Sequence, residues 1–112
     1  MELGGKAPAI VLQDADLDKA ARGCILGAFI HSGQVCMSTE RILVHESIVE
    51  DFTAALKITM DDMYGKDSPA PILVAPPGIK KNKELVQEAL SQGAKIVCGD
   101  VNAKEHSETR MR

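Results

Sequence analysis

A short, unbroken apolar run near the start of the chain, Ala7-Pro8-Ala9-Ile10-Val11-Leu12, most constrains how this protein can fold. The run has no polar alternation and is opened by a proline. Such a run is typical of a strand that is buried on both faces, as in a parallel sheet whose faces are covered by helices. We therefore expect this run to be a strand of a parallel sheet.

A helix is predicted directly after this strand. Asp14, Asp16 and Asp18 supply the acidic side chains that cap a helix N-terminus and favour its dipole. An apolar face then repeats at helical spacing, with Leu17, Ala21, Cys24 and Ala28. The breaker pair Ser32-Gly33 predicts that the helix ends near His31.

A second strand and a second helix follow. Residues 41–45, with Ile42, Leu43 and Val44 at their centre, predict a second short strand, and Ser47 with Glu50 has the pattern of a capping box. The helix that this box begins is expected to end near Gly65 and to carry inward Ile48, Phe52, Leu56, Thr59 and Met63. Residues 66–78 contain four prolines and predict an irregular connection.

The last elements are a third helix and a third strand. The helix is predicted over residues 80–92, with Gly93 at its C-terminus and an apolar stripe of Leu85, Val86, Ala89 and Leu90. Residues 95–98 predict the strand, with Cys98 in the core. The order β-α-β-α-α-β predicts an α/β domain with a mostly parallel sheet. Three strands make a narrow sheet, so further strands are expected outside this chain.

The domain organisation follows from this pattern. We expect one partial domain over residues 1–101, and a polar tail over residues 102–112 that is the truncated start of a continuation. A chain of 112 residues has room for one modest core.

Charge and composition exclude several classes of partner. The net charge of −3 gives no electrostatic case for binding nucleic acid or an anionic membrane. The basic cluster of Lys80, Lys81 and Lys83 begins a predicted helix and is interpreted as solvated surface. No apolar run approaches the roughly 18 residues that a membrane span needs, and no targeting leader is visible.

The three cysteines, Cys24, Cys36 and Cys98, are widely spread and lack CxxC spacing. This usage fits a reducing compartment, so a cytoplasmic location is expected. The spacing of Cys24, His31 and Cys36 matches no zinc pattern, and no metal site is predicted.

Two residues beside glycines could carry chemistry. Cys36 follows Ser32-Gly33-Gln34-Val35, a polar turn in which a thiolate could attack a carbonyl. Glu2 begins Glu2-Leu3-Gly4-Gly5-Lys6 and could activate a water. The plain alternatives are a small buried cysteine and a solvated glutamate, and the residues alone leave them open.

Both segments resemble the active-site signatures of the aldehyde dehydrogenase superfamily, a glutamate motif ELGGK and a Gly-Gln-x-Cys loop. Further similar pieces are Asp14-Ala15-Asp16-Leu17-Asp18 and Gln92-Gly93-Ala94-Lys95. The residues around Cys36 look most like the branch that acts on aromatic aldehydes, the salicylaldehyde and vanillin type.

The resemblance implies a mechanism and a cofactor. Cys36 would be the nucleophile that forms a thiohemiacetal and then a thioester, and Glu2 would be the general base. Leu3 and Gly4 would line the nicotinamide end of a site for NAD or NADP, and the substrate would be a small-molecule aldehyde. The parent enzyme would be a homo-oligomer.

The resemblance also implies that the chain is an incomplete part of the catalytic domain. The family's cofactor-binding domain, with the asparagine of its oxyanion hole, would lie upstream of Glu2. We therefore expect the isolated chain to bind no cofactor and to be inactive. Two other functions remain open: a degenerate interaction module that pairs with a partner chain, and a cofactor-free thiol hydrolase that uses Cys36 and Glu2.

Overall fold

The computed structural model describes residue 1 and residues 5–65, 68, 72–75 and 77–99. It divides into two compact units, Met1–Asp67 and Ser68–Arg112. The first unit contains strand β1 (Ala7–Val11), helix α1 (Leu17–Phe29), strand β2 (Thr39–Val44) and helix α2 (Val49–Tyr64). Short 3-10 segments occupy Ile30–Gly33 and Glu46–Ile48. The second unit contains helix α3 (Pro77–Ser91).

The two strands form a parallel pair that α1 connects. Ala7 pairs with Thr39, and Val11 pairs with Val44, with an irregularity in the register after Ala7. Parallel strands require such a crossover, because a tight turn can join only antiparallel strands. The predicted α/β class with a parallel sheet is therefore confirmed.

Helix α1 begins at Leu17, among the acidic residues that predicted its N-terminus. Asp16 is the N-cap, and its carboxylate accepts a hydrogen bond of 3.2 Å from the backbone N–H of Lys19. The Lys19 ammonium also lies 2.8 Å from the Asp16 carboxylate. These bonds to Lys19 hold the pKa of Asp16 below its ordinary value.

The core of the first unit lies between one face of the sheet and the two helices. Its buried residues are Val11 from β1, Ala21 and Cys24 from α1, and Phe52 from α2. Partly buried residues pack around them: Ala9, Ala15, Leu17, Ala20, Ile42, Val44, Ile48, Ala55 and Leu56. The prediction of the inward faces of α1 and α2 is confirmed for Leu17, Ala21, Cys24, Ile48, Phe52 and Leu56. The other predicted inward residues, Ala28, Thr59 and Met63, are half-buried and lie outside this cluster.

The opposite face of the sheet is open. Ile10 is 68% exposed and its partner Leu43 is 56% exposed, and Leu12 is also exposed. The expectation of a strand buried on both faces is therefore wrong for this chain. Both helices of the first unit share one side of the sheet, and the apolar side chains of the other side have no covering layer among the described residues of that unit.

The start of α2 differs from the predicted capping box. The N-cap of α2 is Ile48, which makes no side-chain capping bond. His45 caps the preceding 3-10 turn, and its Nδ1 accepts a hydrogen bond of 3.3 Å from the backbone N–H of Ser47. A 3-10 turn over Glu46–Ile48 intervenes, so Ser47 lies inside a turn instead of at the N-cap position. Glu50 is in the first turn of α2, where its charge favours the helix dipole.

Helix α3 begins at Pro77, ahead of the predicted start at Lys80, because proline is well tolerated at the first helical position. Its C-terminus forms a Schellman motif: the N–H of Gly93 donates to Leu90 and that of Ala94 donates to Ala89. Gly93 takes a φ of 94°, which confirms the predicted glycine cap. The predicted apolar stripe is largely exposed, with Leu85 at 49%, because this unit has no described layer that covers it.

The predicted third strand is absent from the described residues. Residues 94–97 lie outside regular structure, and Ile96 and Val97 are each 45% exposed. Cys98 is exposed as well, so its assignment to the core is wrong. A β-strand needs a hydrogen-bonded neighbour. Among the described residues the sheet consists of β1 and β2, and Ile72 in the second unit forms an isolated bridge. The predicted boundary at residue 101 stays a prediction, and residues 102–112 lie outside the described residues.

No helix in the described ranges is long and apolar enough to cross a membrane.

Two glycines of α1 provide a matched test of the packing between α1 and β2. A Cβ at Gly23 meets nothing within 4 Å, whereas a Cβ at Gly27 lies 2.7 Å from Oγ1 of Thr39. We expect Gly23→Ala to raise the free energy of unfolding by about 0.5–1 kcal/mol, as for any exposed helical glycine. Gly27→Ala should instead lower it by about 1 kcal/mol or more, because the added methyl overpacks the contact.

Urea unfolding followed by far-UV circular dichroism measures both variants. Equal stabilisation by Gly23→Ala and Gly27→Ala would contradict the close approach of α1 to Thr39.

Candidate active site around Cys36

Cys36 lies in a tight turn between α1 and β2. The backbone N–H of Ser38 donates to the carbonyl of Val35 at 2.9 Å, which closes a turn with Cys36 and Met37 at its centre. The thiol of Cys36 is free and exposed. The alternative that Cys36 is a small buried hydrophobic residue is therefore excluded.

The chain reaches this turn through an unusual backbone conformation. His31 and Ser32 have φ values of 51° and 59°, in the left-handed region, and Gly33 follows with 73°. For residues with a side chain this conformation costs roughly 1–2 kcal/mol each. A Cβ on Gly33 would lie 3.0 Å from the carbonyl oxygen of Ala28, so glycine also suits the close contact there.

Gln34 bonds back to the left-handed segment twice. Its backbone N–H donates to the carbonyl of His31 at 3.2 Å, and its side-chain Nε2 donates to the same oxygen at 3.1 Å. Both bonds restrain the residues immediately before the Cys36 turn. The sequence signals of Ser32-Gly33 predicted the end of the helix, but they did not predict this left-handed segment or its hydrogen bonds.

Two polar groups of the turn have no partner among the described residues. The backbone N–H of Cys36 donates no hydrogen bond there, since the bonds of the turn come from Gln34 and Ser38. The hydroxyl of Ser38 is also without a partner although the residue is only 4% exposed. When a thiolate attacks a carbonyl, the carbonyl oxygen becomes negative. An unused backbone N–H beside that thiolate can donate a hydrogen bond to this oxygen.

The turn lies at the edge of the sheet formed by the N-terminal ends of both strands. Ala7, at the start of β1, is paired with Thr39, at the start of β2. An ion pair between Lys6 and Glu40 joins the two strands next to this edge. Both partners are solvent-exposed, so this pair contributes little to stability. Parallel pairing thus brings the segment before β1 to the same edge as Cys36.

Glu2, Leu3 and Gly4 lie outside the described residues. Their predicted roles as general base and as nicotinamide contacts stay predictions. Of the four predicted site residues, the structure therefore places only Cys36.

The side chains of Cys24 and His31 make no hydrogen bond to Cys36 among the described residues. Cys24 is buried in the core, and burial raises the pKa of its thiol. His31 is exposed, and the described residues hold no group of three side chains that could bind a metal ion.

Alkylation separates the two kinds of cysteine. We expect iodoacetamide to modify Cys36 in the folded chain at least about tenfold faster than Cys24, because the thiolate is the reactive form and access limits its attack. Since burial raises the pKa of Cys24, its rate should keep rising with pH above the range of an ordinary thiol, near 8.5. Peptide mass spectrometry after timed quenching measures each site.

The exposed Cys98 serves as the internal control. Modification of Cys24 as fast as Cys98 in the folded chain would contradict the packed core around α1.

Comparison with known proteins finds similar sequences and structures. The sequence profile described as "Aldehyde dehydrogenase family" matches residues 1–111. A salicylaldehyde dehydrogenase from Pseudomonas putida is 40% identical in an alignment of 111 residues. The match covers 88% of this chain and 22% of that protein. A vanillin dehydrogenase from Pseudomonas fluorescens is 38% identical over 104 residues, with the same coverage of 88% and 22%.

A solved structure shares the fold. The NADP-dependent glyceraldehyde-3-phosphate dehydrogenase from Bacillus halodurans, complexed with NADP, matches with a TM-score of 0.83 and 31% identity. The match covers 97% of this chain and 23% of that structure. The chain therefore spans less than a quarter of the length of the proteins that it matches, and it corresponds to an incomplete part of their fold. From the sequence profile, the identities and the shared fold together, the chain belongs to the aldehyde dehydrogenase family.

Proposed function

We propose that this chain is the nucleophile-bearing part of an NAD(P)-dependent oxidoreductase that converts an aldehyde to a carboxylic acid. The observation that carries the proposal is the exposed Cys36 at the centre of an ordered turn, with its backbone N–H unused by the described residues. Family membership supports the reaction class, because the profile covers nearly the whole chain.

The proposed reaction begins at Cys36. Its thiolate forms a carbon–sulfur bond to the aldehyde carbonyl, and the electron pair of the C=O bond moves to the oxygen. The Cys36 N–H, which has no described acceptor, donates to that oxyanion. The thiohemiacetal then loses hydride from the same carbon, which re-forms the carbonyl as a thioester.

Hydrolysis completes the cycle. Glu2 takes a proton from a water that attacks the thioester carbonyl, and the carbon–sulfur bond breaks to release the acid and the Cys36 thiolate. Connectivity supports this assignment of Glu2. The segment from Glu2 to Ala7 spans at most about 17 Å when fully extended, and Ala7 is paired with Thr39 just beyond the Cys36 turn.

The reaction needs a hydride acceptor, and the side chains of this site offer none. NAD(P)+ supplies that chemistry when bound. Leu3 and Gly4 would hold its nicotinamide end, and the remaining contacts belong to parts of the family fold outside this chain.

An aromatic aldehyde is the proposed substrate class. The two relatives named above carry the names of dehydrogenases for salicylaldehyde and vanillin, which are both aromatic aldehydes.

A second candidate function is an interaction module. The exposed pair Ile10 and Leu43 forms an apolar sheet face that a partner chain could cover. This candidate predicts a stable complex with a separately encoded polypeptide, and it does not require Cys36.

A chimeric enzyme tests the dehydrogenase proposal. The chain would replace the matching segment of the Pseudomonas putida salicylaldehyde dehydrogenase, with which it shares 40% identity. We expect oxidation of salicylaldehyde with NAD+, loss of all NADH formation in Cys36→Ala, and a burst of one NADH per site without turnover in Glu2→Gln. The burst follows because hydride loss precedes the step assigned to Glu2.

Cys98→Ala is the matched control and should retain the activity of the chimera. Undiminished turnover in Cys36→Ala would contradict the proposal. The isolated chain should form no NADH with NAD+ and benzaldehyde beyond its own Cys36→Ala variant, because it spans 22% of its relatives.

A further inference from the structure

The left-handed segment before Cys36 is the most constrained backbone in the first unit. His31 and Ser32 are the described residues other than glycine that have a positive φ, and Gly33 extends the same conformation. Residues with a side chain stay in this region only where the surroundings determine it, and such positions cluster at functional sites. The segment directly joins the end of α1 to the residues that lead into the Cys36 turn.

We propose that this left-handed segment, locked by Gln34, positions Cys36 by holding its turn in one conformation. The meaning of this role for catalysis rests on the proposed function, but the lock itself does not. Gln34 and His31 are then positioning residues, because they act through the backbone segment that leads to Cys36.

The hydrogen bonds explain how the lock works. The carbonyl of His31 accepts both the backbone N–H and the side-chain Nε2 of Gln34, at 3.2 and 3.1 Å. On the other side of the nucleophile, Ser38 donates to Val35 at 2.9 Å. Cys36 is thus held between two closed turns while its own N–H donates to no described residue.

Packing anchors the same segment to the body of the unit. The α-carbon of Gly33 approaches the carbonyl oxygen of Ala28 in α1 so closely that an added Cβ would lie 3.0 Å from it. Where the turn gives way to β2, Thr39 packs against Gly27 of α1. Helix α1 therefore fixes both ends of the loop that carries Cys36.

Amide exchange by NMR on the full 112-residue chain tests this proposal. His31→Val places a β-branched residue where φ must be positive, whereas His31→Asn keeps a residue that tolerates this region. His31 suits the comparison because its side chain is exposed. Gln34→Glu keeps the shape of the side chain but removes the Nε2 donor, leaving a carboxylate against the carbonyl.

We expect His31→Val and Gln34→Glu to speed exchange of the Ser38 amide by at least about tenfold, as local opening of the turn becomes easier. The Cys36 cross-peak should move toward its unstructured position or split. His31→Asn should leave both within about threefold of the parent chain, and the Ala21 and Cys24 amides of α1 should be unchanged in all three variants.

Unchanged exchange at Ser38 and an unmoved Cys36 peak in both His31→Val and Gln34→Glu would overturn the proposal. So would equal effects of His31→Asn and His31→Val. If His31→Val unfolds the unit, as loss of the α1 signals would show, the comparison of Gln34→Glu with His31→Asn decides the question. Neither aldehyde nor cofactor is used, so failure here leaves the dehydrogenase proposal standing, and failure of the chimera leaves this one standing.

Discussion

Parallel pairing of β1 with β2 is the interaction on which the rest of the first unit depends. Pairing two parallel strands forces the chain between them to cross over one face of the sheet, and α1 makes that crossing. The crossing buries Ala21 and Cys24 against Val11 and leaves α2 to close the core with Phe52. It also places the residues before both strands at one edge, where Cys36 lies. The position of Cys36 is thus a consequence of the parallel strand pairing.

Much of this arrangement was predictable because it depends on local patterns. The Asp16 cap and the apolar face of α1 follow from short-range chemistry that the sequence displays directly. The resemblance carried by Gly33-Gln34-Val35-Cys36 pointed to the same loop that the structure shows as an ordered turn around an exposed thiol.

The errors concern features that depend on neighbours or on competition between similar turns. The strand expected over residues 95–98 has no partner strand among the described residues, and apolar composition alone cannot supply one. The exposed Ile10 was expected to be covered because the pattern of β1 suits a sheet with helices on both sides. Before α2, a 3-10 turn capped by His45 includes Ser47, so the N-cap position of the helix falls on Ile48 instead of on Ser47.

The open sheet face and the family match support one account. In that account, a chain that covers 22% of the salicylaldehyde dehydrogenase would contribute the proposed nucleophile Cys36 and part of a sheet, and the cofactor contacts other than Leu3 and Gly4 would lie elsewhere in the family fold. In this account, α1 and the left-handed residues hold Cys36 in position. The rest of the enzyme brings the aldehyde to it.

The most direct test of that account is to trap the covalent intermediate. The Glu2→Gln chimera would be mixed with salicylaldehyde and NAD+, quenched in acid, digested and examined by tandem mass spectrometry. The account predicts an acyl group attached to the Sγ of Cys36, because hydride loss leaves a thioester that Gln at position 2 cannot hydrolyse. An unmodified Cys36 after a full NADH burst, or an acyl group on another residue, would contradict it.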